Sequence, residues 1–258
     1  MIYINKVGVP VPNVLLTTGV VETQILCANY DADNTYFDDR KSKDLFKSSI
    51  YGHDDVKDVL VSLQNHKCCF CESRVTHISD GDVEHFRPKA EWLRENVNGT
   101  KNRVKPGYYF LAYNWSNLML SCLMCNQRNK GNNFPLLNEG HRTIVTHTYD
   151  VNREMSIFIN PTLEDPEAHI TFYEENPKGI SLRGKKTIEY LELDRFSLNE
   201  ARKEKFKDLF TYKRILGVVS NPEERDDIID MIRKRINEII DGNGEYVAMV
   251  KANFNEFL

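Results

Sequence analysis

Apolar residues recur at helical spacing most clearly in two stretches. In residues 54–64, Val56, Val59, Leu60 and Leu63 fall at i, i+3, i+4 and i+7, which predicts an amphipathic helix. His53 or Asp54 can cap it, with Asp55 near the positive end of its dipole. Near the C-terminus, Ile228, Ile229, Ile232, Ile236, Ile239 and Ile240 form a second stripe. Asn221-Pro222 starts that helix and Asp241-Gly242 closes it. Ser197-Leu198-Asn199-Glu200 has the form of a capping box and predicts a helix reaching about Leu216. Residues 245–257 predict a further helix. Alternation at period two predicts short strands at residues 2–4, 155–159 and 170–173, the last closed by Asn176-Pro177-Lys178-Gly179. Residues 126–133 predict a short helix stopped by Gly131. Residues 20–28 fit strand or helix equally, residues 31–39 are polar and turn-rich, and no chemistry is legible in either.

The chain has 258 residues, 41% of them hydrophobic and 28% charged, enough for a sizeable core in one domain or two small ones. No apolar run has membrane-spanning length, and Met1-Ile2-Tyr3-Ile4-Asn5-Lys6 lacks a secretory pattern, so a cytoplasmic protein is expected.

The cysteines change the picture. Cys68 and Cys71 form one CxxC pair, Cys122 and Cys125 another, with fifty residues between the pairs. Two such turns can close one tetrahedral zinc site through four thiolates, clipping a functional segment inside the loop. The alternative, buried or disulfide-bonded cysteines, suits a reducing compartment poorly. Cys27 and Cys69 are left over and are expected to pack. His66 and His77 are not needed as ligands.

Charge is uneven. The net charge is −4, yet residues 85–130 carry eight Lys or Arg (Arg87, Lys89, Arg94, Lys101, Arg103, Lys105, Arg128, Lys130) against Glu91 and Glu95, a formal +6. Residues 1–60 carry six basic and nine acidic side chains, a formal −3. A basic excess on the clipped segment suits phosphate contacts, which make binding salt-dependent. Inside the clip, Glu84 and His85 are adjacent, as in a short strand whose neighbours face opposite ways. Read as a nuclease, the imidazole takes a proton from water and the carboxylate holds a divalent ion.

The order Glu84-His85, then Asn117-Leu118, then Cys122-Leu123-Met124-Cys125-Asn126 resembles the HNH nuclease family. That resemblance implies an α+β fold: a ββα-metal core clipped by a four-cysteine zinc site and flanked by N- and C-terminal helices. It implies His85 as general base, Asn117 as the residue orienting it, and Glu84 and Asn126 as ligands of a catalytic Mg²⁺ or Mn²⁺. Asn126 stands where many members have His, as in the HNN variants, and Lys130 lies one place later than the usual Lys. A wider set of matches resembles the HNH proteins of retron and Septu anti-phage systems, the PtuB type. It comprises Val83-Glu84-His85-Phe86-Arg87-Pro88-Lys89, Trp115-Ser116-Asn117-Leu118, Asn160-Pro161, Asp165-Pro166-Glu167, Thr187-Ile188-Glu189 and Leu193-Asp194-Arg195. In that family the nuclease works beside a PtuA-like ATPase, and in retrons beside a reverse transcriptase and its DNA–RNA product.

The expected organisation is therefore an N-terminal extension and bracing helix (1–65), a zinc-clipped nuclease core (66–180) and a C-terminal helical region (181–258). The expected activity is phosphodiester hydrolysis, with DNA favoured over RNA. Arg87, Lys89, Arg103, Lys105, Arg128 and Lys130 are the candidate phosphate contacts. The competing readings are a non-catalytic zinc module that binds nucleic acid or scaffolds a partner, and an HNH nuclease acting on RNA such as tRNA. The chain has no ATP-binding loop of its own.

Overall fold

The computed structural model describes residues 1–76, 79–96, 98–142, 145–241 and 244–258. The N-terminal region is helical: α1 (Val20–Ala32), the single turns α2 (Ser42–Leu45) and α3 (Ser48–Tyr51), and α4 (Asp54–Leu63). Residues 20–28, undecided by periodicity, thus belong to a helix. Helix α4 buries Val56 and Leu60 completely, as its spacing predicts. Of its two candidate caps His53 serves, its ring nitrogen accepting from Asp55 N at 3.2 Å.

The middle of the chain holds β1 (Asp82–His85), β2 (Trp92–Glu95), β3 (Lys101–Val104) and β4 (Leu118–Ser121). Strands β1 and β4 pair antiparallel, with Glu84 opposite Met119 and His85 opposite Leu118. Strands β2 and β3 form a ribbon inserted between them in the sequence. Directly after β4 comes a helical segment, Met124–Lys130. It starts before Asn126 and ends at Gly131, whose φ of +48° suits glycine. Strand β4 is buried along its whole length. Leu118 and Leu120 face one hydrophobic core with α1, α3 and α4; Met119 faces the other. One strand with period-two alternation therefore forms the wall between two cores.

The remainder comprises the hairpin β5 (Ile170–Tyr173) and β6 (Asn176–Gly179), then α5 (Leu182–Leu191), α6 (Phe196–Lys205), α7 (Lys207–Leu216), α8 (Pro222–Asp241) and α9 (Val247–Phe254). Residues 176–179, expected as a turn, are a strand; the turn is Glu174-Glu175, with Glu174 left-handed at φ +51°. The capping box is not used. Helix α6 starts at Phe196, Ser197 lies inside it, and the expected single helix breaks at Phe206. Helix α8 begins at Pro222, and Asn221 Oδ1 accepts from Glu223 N at 3.0 Å. Its Gly242 stop lies outside the described residues. Residues 2–4 and 155–159 form no named strand. Ile4 N bonds Pro161 O at 2.7 Å, and Ser156 makes one isolated bridge to Leu136.

Candidate metal centre and cleft

The Sγ atoms of Cys68, Cys71, Cys122 and Cys125 all lie within 4.8 Å of one another, with Cys71 and Cys122 3.8 Å apart. Zn–S bonds of about 2.3 Å in a tetrahedron require sulfurs about 3.8 Å apart, so the donor set fits zinc. Helix α4 leads into the first turn, where left-handed Glu72 (φ +63°) lets its amide close onto Cys68 O at 3.1 Å. The second turn joins buried β4 to the helical segment, and Cys125 N points at Cys122 Sγ at 3.5 Å. Burial raises the Cys68 thiol, but hydrogen bonds from Cys122 and Cys125 outweigh it and hold Cys68 well below the ordinary thiol value. Arg195 places both terminal guanidinium nitrogens 3.9 Å from Cys125 Sγ, a positive charge beside the sulfur cluster. Cys69 is buried outside the cluster, and burial pushes its thiol well up. Among the described residues no histidine joins the four sulfurs. His66 bonds Thr76 Oγ1 at 2.8 Å instead, and His77 lies outside the described residues.

Beside this centre opens a cleft of about 900 Å³. Glu84, His85, Lys89 and Asn126 line it; Asn117 does not. His85 is 6% exposed, with Tyr51 of α3 and Ala112 packed against it. Its Nε2 lies 2.9 Å from Ala112 O. A carbonyl only accepts, so Nε2 carries the proton and the lone pair is on Nδ1. Lys89 Nζ stands 3.4 Å from that Nδ1, and the Tyr51 ring meets the imidazole edge-on at 4.7 Å. Burial and the Lys89 charge hold His85 well below the ordinary histidine value, hence neutral. Burial also pulls the Lys89 ammonium down to about 8.

Asn117 acts on backbone. Its Oδ1 accepts from Arg87 N at 2.8 Å, and its Nδ2 donates to Arg87 O at 3.0 Å and Leu111 O at 3.2 Å. It thereby pins the exit of β1 to the loop that bears Ala112. Glu84 is 2% exposed and paired with Lys130 at 2.6 Å. Burial pushes its carboxyl above the ordinary value against the pull of Lys130. Asp82, two residues earlier on the same strand face, takes Asn126 Nδ2 at 3.2 Å and Gln127 Nε2 at 2.9 Å. Asn126 Oδ1 has no hydrogen bond among the described residues, and with Glu84 and Asp82 it offers hard oxygen donors that suit Mg²⁺ or Mn²⁺.

The six expected phosphate contacts divide. Lys89, Arg103 and Lys105 line the cleft. Arg103 is exposed and pairs with Glu91 at 3.1 Å. Lys105 is tied to the carbonyls of Phe37, Asp38 and Arg40 at 3.1, 2.8 and 3.0 Å, which joins the β3 end to the N-terminal region. Arg128 is exposed outside the cleft. Arg87 turns inward to Glu154 at 3.2 Å, and Lys130 is buried on Glu84. Tyr51, Asp82 and Gln127 are site residues that the sequence reading does not single out. Asp82 is findable two positions before Glu84; nothing marks the others.

The geometry defines an α+β protein with a four-cysteine cluster able to hold a metal ion, beside a carboxylate–imidazole–amide cleft. No family model and no solved structure matches the chain. It is 33% identical over 234 residues to the Septu protein PtuB of Bacillus mycoides (strain KBAB4), covering 83% of this chain and 78% of that protein. It is 32% identical over 148 residues to the Septu protein PtuB of Bacillus thuringiensis, covering 57% and 44%. The chain belongs to the PtuB family of Septu proteins. Among the described residues no helix is long and apolar enough to cross a membrane.

Proposed function

We propose that the chain is a metal-dependent endonuclease of the HNH type. It hydrolyses nucleic-acid phosphodiesters for a Septu anti-phage system, beside an ATPase of the PtuA kind. The Septu relatives favour an ATPase over a reverse transcriptase as the partner. The observation that carries the nuclease reading is the neutral His85, with Nε2 held by Ala112 O and its lone pair on Nδ1, in the cleft that Glu84 and Asn126 line. A zinc scaffold has no need of a desolvated base beside oxygen donors. In this reading His85 Nδ1 accepts the proton of the attacking water. Glu84 and Asn126, with Asp82 beside them, hold a Mg²⁺ or Mn²⁺ ion, which when bound supplies Lewis-acid charge at the scissile phosphate. Lys89 presents its ammonium to the same phosphate, and Asn117 is a positioning residue.

The test is cleavage of single- and double-stranded DNA and RNA with Mg²⁺ or Mn²⁺, with and without the ATPase. His85→Ala is expected to lower the rate by about 10²–10⁴-fold, the usual contribution of a general base. His85→Gln keeps a donor for Ala112 O and is expected to be equally slow with wild-type zinc content and melting curve. Cleavage by either variant near the wild-type rate removes His85 from the chemistry. A wild-type protein that binds but never cuts supports the scaffold.

A further inference from the structure

The N-terminal region is acidic overall, yet its charges are sorted. Of its six basic side chains up to residue 60, three line the cleft: Arg40, Lys41 and Lys57. Of its nine acidic ones only Asp39 does. Ser48 and Ser49 join the cations there. The remaining basic residues have other places. Lys47 is held by Glu22 at 2.5 Å and Lys6 by Trp115 O at 2.7 Å, while among the described residues neither Lys41 nor Lys57 has such a partner. Arg40 is partly committed, stacked 3.9 Å over the Tyr36 ring. Lys105 fastens this region to β3 through the three carbonyls named above, so the two sides of the cleft are joined. Unpaired ammonium groups with hydroxyl donors beside a candidate phosphodiester site match phosphate oxygens, which accept from both.

We infer that the N-terminal region is the second wall of a nucleic-acid groove, with Lys41 and Lys57 contacting phosphates of the strand that enters the cleft. This rests on the nuclease reading and extends it to a region in which only the bracing helix was legible. Each phosphate neutralised by a lysine releases condensed counterions, so these contacts are read as the slope of log affinity against log salt concentration.

The experiment is fluorescence anisotropy of labelled single- and double-stranded oligonucleotides without added divalent ion, from about 50 to 200 mM salt. The Lys41→Gln/Lys57→Gln double variant is expected to bind every sequence more weakly, with the slope reduced by about one unit per lost contact. Zinc content and melting curve are expected to stay at wild-type values. Lys43→Gln is the control: Lys43 is exposed on α2, two residues from Lys41, but does not line the cleft, and its slope is expected to match wild type. A double variant with the wild-type slope overturns the inference. So does Lys43→Gln losing as much slope, because the effect is then general charge and not a wall. A wild-type protein with no affinity for any nucleic acid overturns the nuclease reading itself, and this inference with it.

Discussion

Lys130 Nζ is 2.6 Å from Glu84 Oε1 and donates to His85 O at 2.9 Å, and the Lys130 and Glu84 side chains are almost wholly buried. One ammonium thus holds the backbone and the carboxylate of adjacent candidate residues. Removing one member of a buried ion pair leaves an uncompensated charge, at a cost of about 3–5 kcal/mol. Lys130→Ala is expected to lose that much unfolding free energy in urea, without added divalent ion. Mg²⁺ or Mn²⁺ is expected to restore part of the loss by replacing the missing charge at Glu84. Equal unfolding curves with and without the ion would take Glu84 out of the ion site. The sequence could not reveal this role. A lysine in a basic run reads as a phosphate contact, and its partner lies far back in the chain on β1. Glu84 and His85 stood out as adjacent acid and imidazole, and Asn126 only through the family resemblance, whereas the direction of a charged side chain leaves no local mark.

The two cysteine turns are held by unequal supports. The first follows α4 and the second is built on β4, and Cys125 in the second meets a guanidinium, that of Arg195 at the start of α6. Four thiolates around a divalent ion leave a net charge of −2, which Arg195 partly offsets. Cys125→Ser is expected to lose bound zinc and a large share of the melting temperature, because structural zinc binding enters the folding free energy. Arg195→Ala is expected to purify with zinc but release it faster to a colorimetric chelator. Cys69→Ser is expected to keep zinc throughout. Zinc release from Arg195→Ala at the wild-type rate would reduce that contact to packing. The spacing of the cysteines marked the four that cluster, while Arg195 stood out only through the family resemblance. Helices α4 and α8 were legible because each carries an apolar stripe along one face. The ribbon β2–β3 was not, since β3 is almost entirely exposed and carries no alternation.

Across the whole molecule, the C-terminal region wraps the metal centre. Leu191 O receives Asn129 Nδ2 at 2.6 Å, Tyr246 OH meets Ser73 Oγ at 3.0 Å, and Ala248 N donates to Glu72 Oε2 at 3.3 Å. Both cysteine turns are thus bolted to elements distant in the chain. Stripping zinc is expected to raise amide exchange in residues 187–206 and 244–254 as well as at the turns themselves. Protection unchanged in those two stretches would show that the helices stand without the metal. The metal centre was legible in the sequence because its ligands are local pairs. The cover over it was not, because contacts of such separation leave no periodic signature.

That cover also has an order in time. Arg74 N donates to Glu245 Oε1 at 2.8 Å, across 171 residues of chain. A ribosome adds roughly 5–20 residues per second, so about ten to thirty seconds separate the two halves of this contact during synthesis. For most of that interval the first cysteine turn is outside the ribosome and lacks its lid. A zinc ion loaded during synthesis would meet an open knuckle, and one loaded afterwards a covered one.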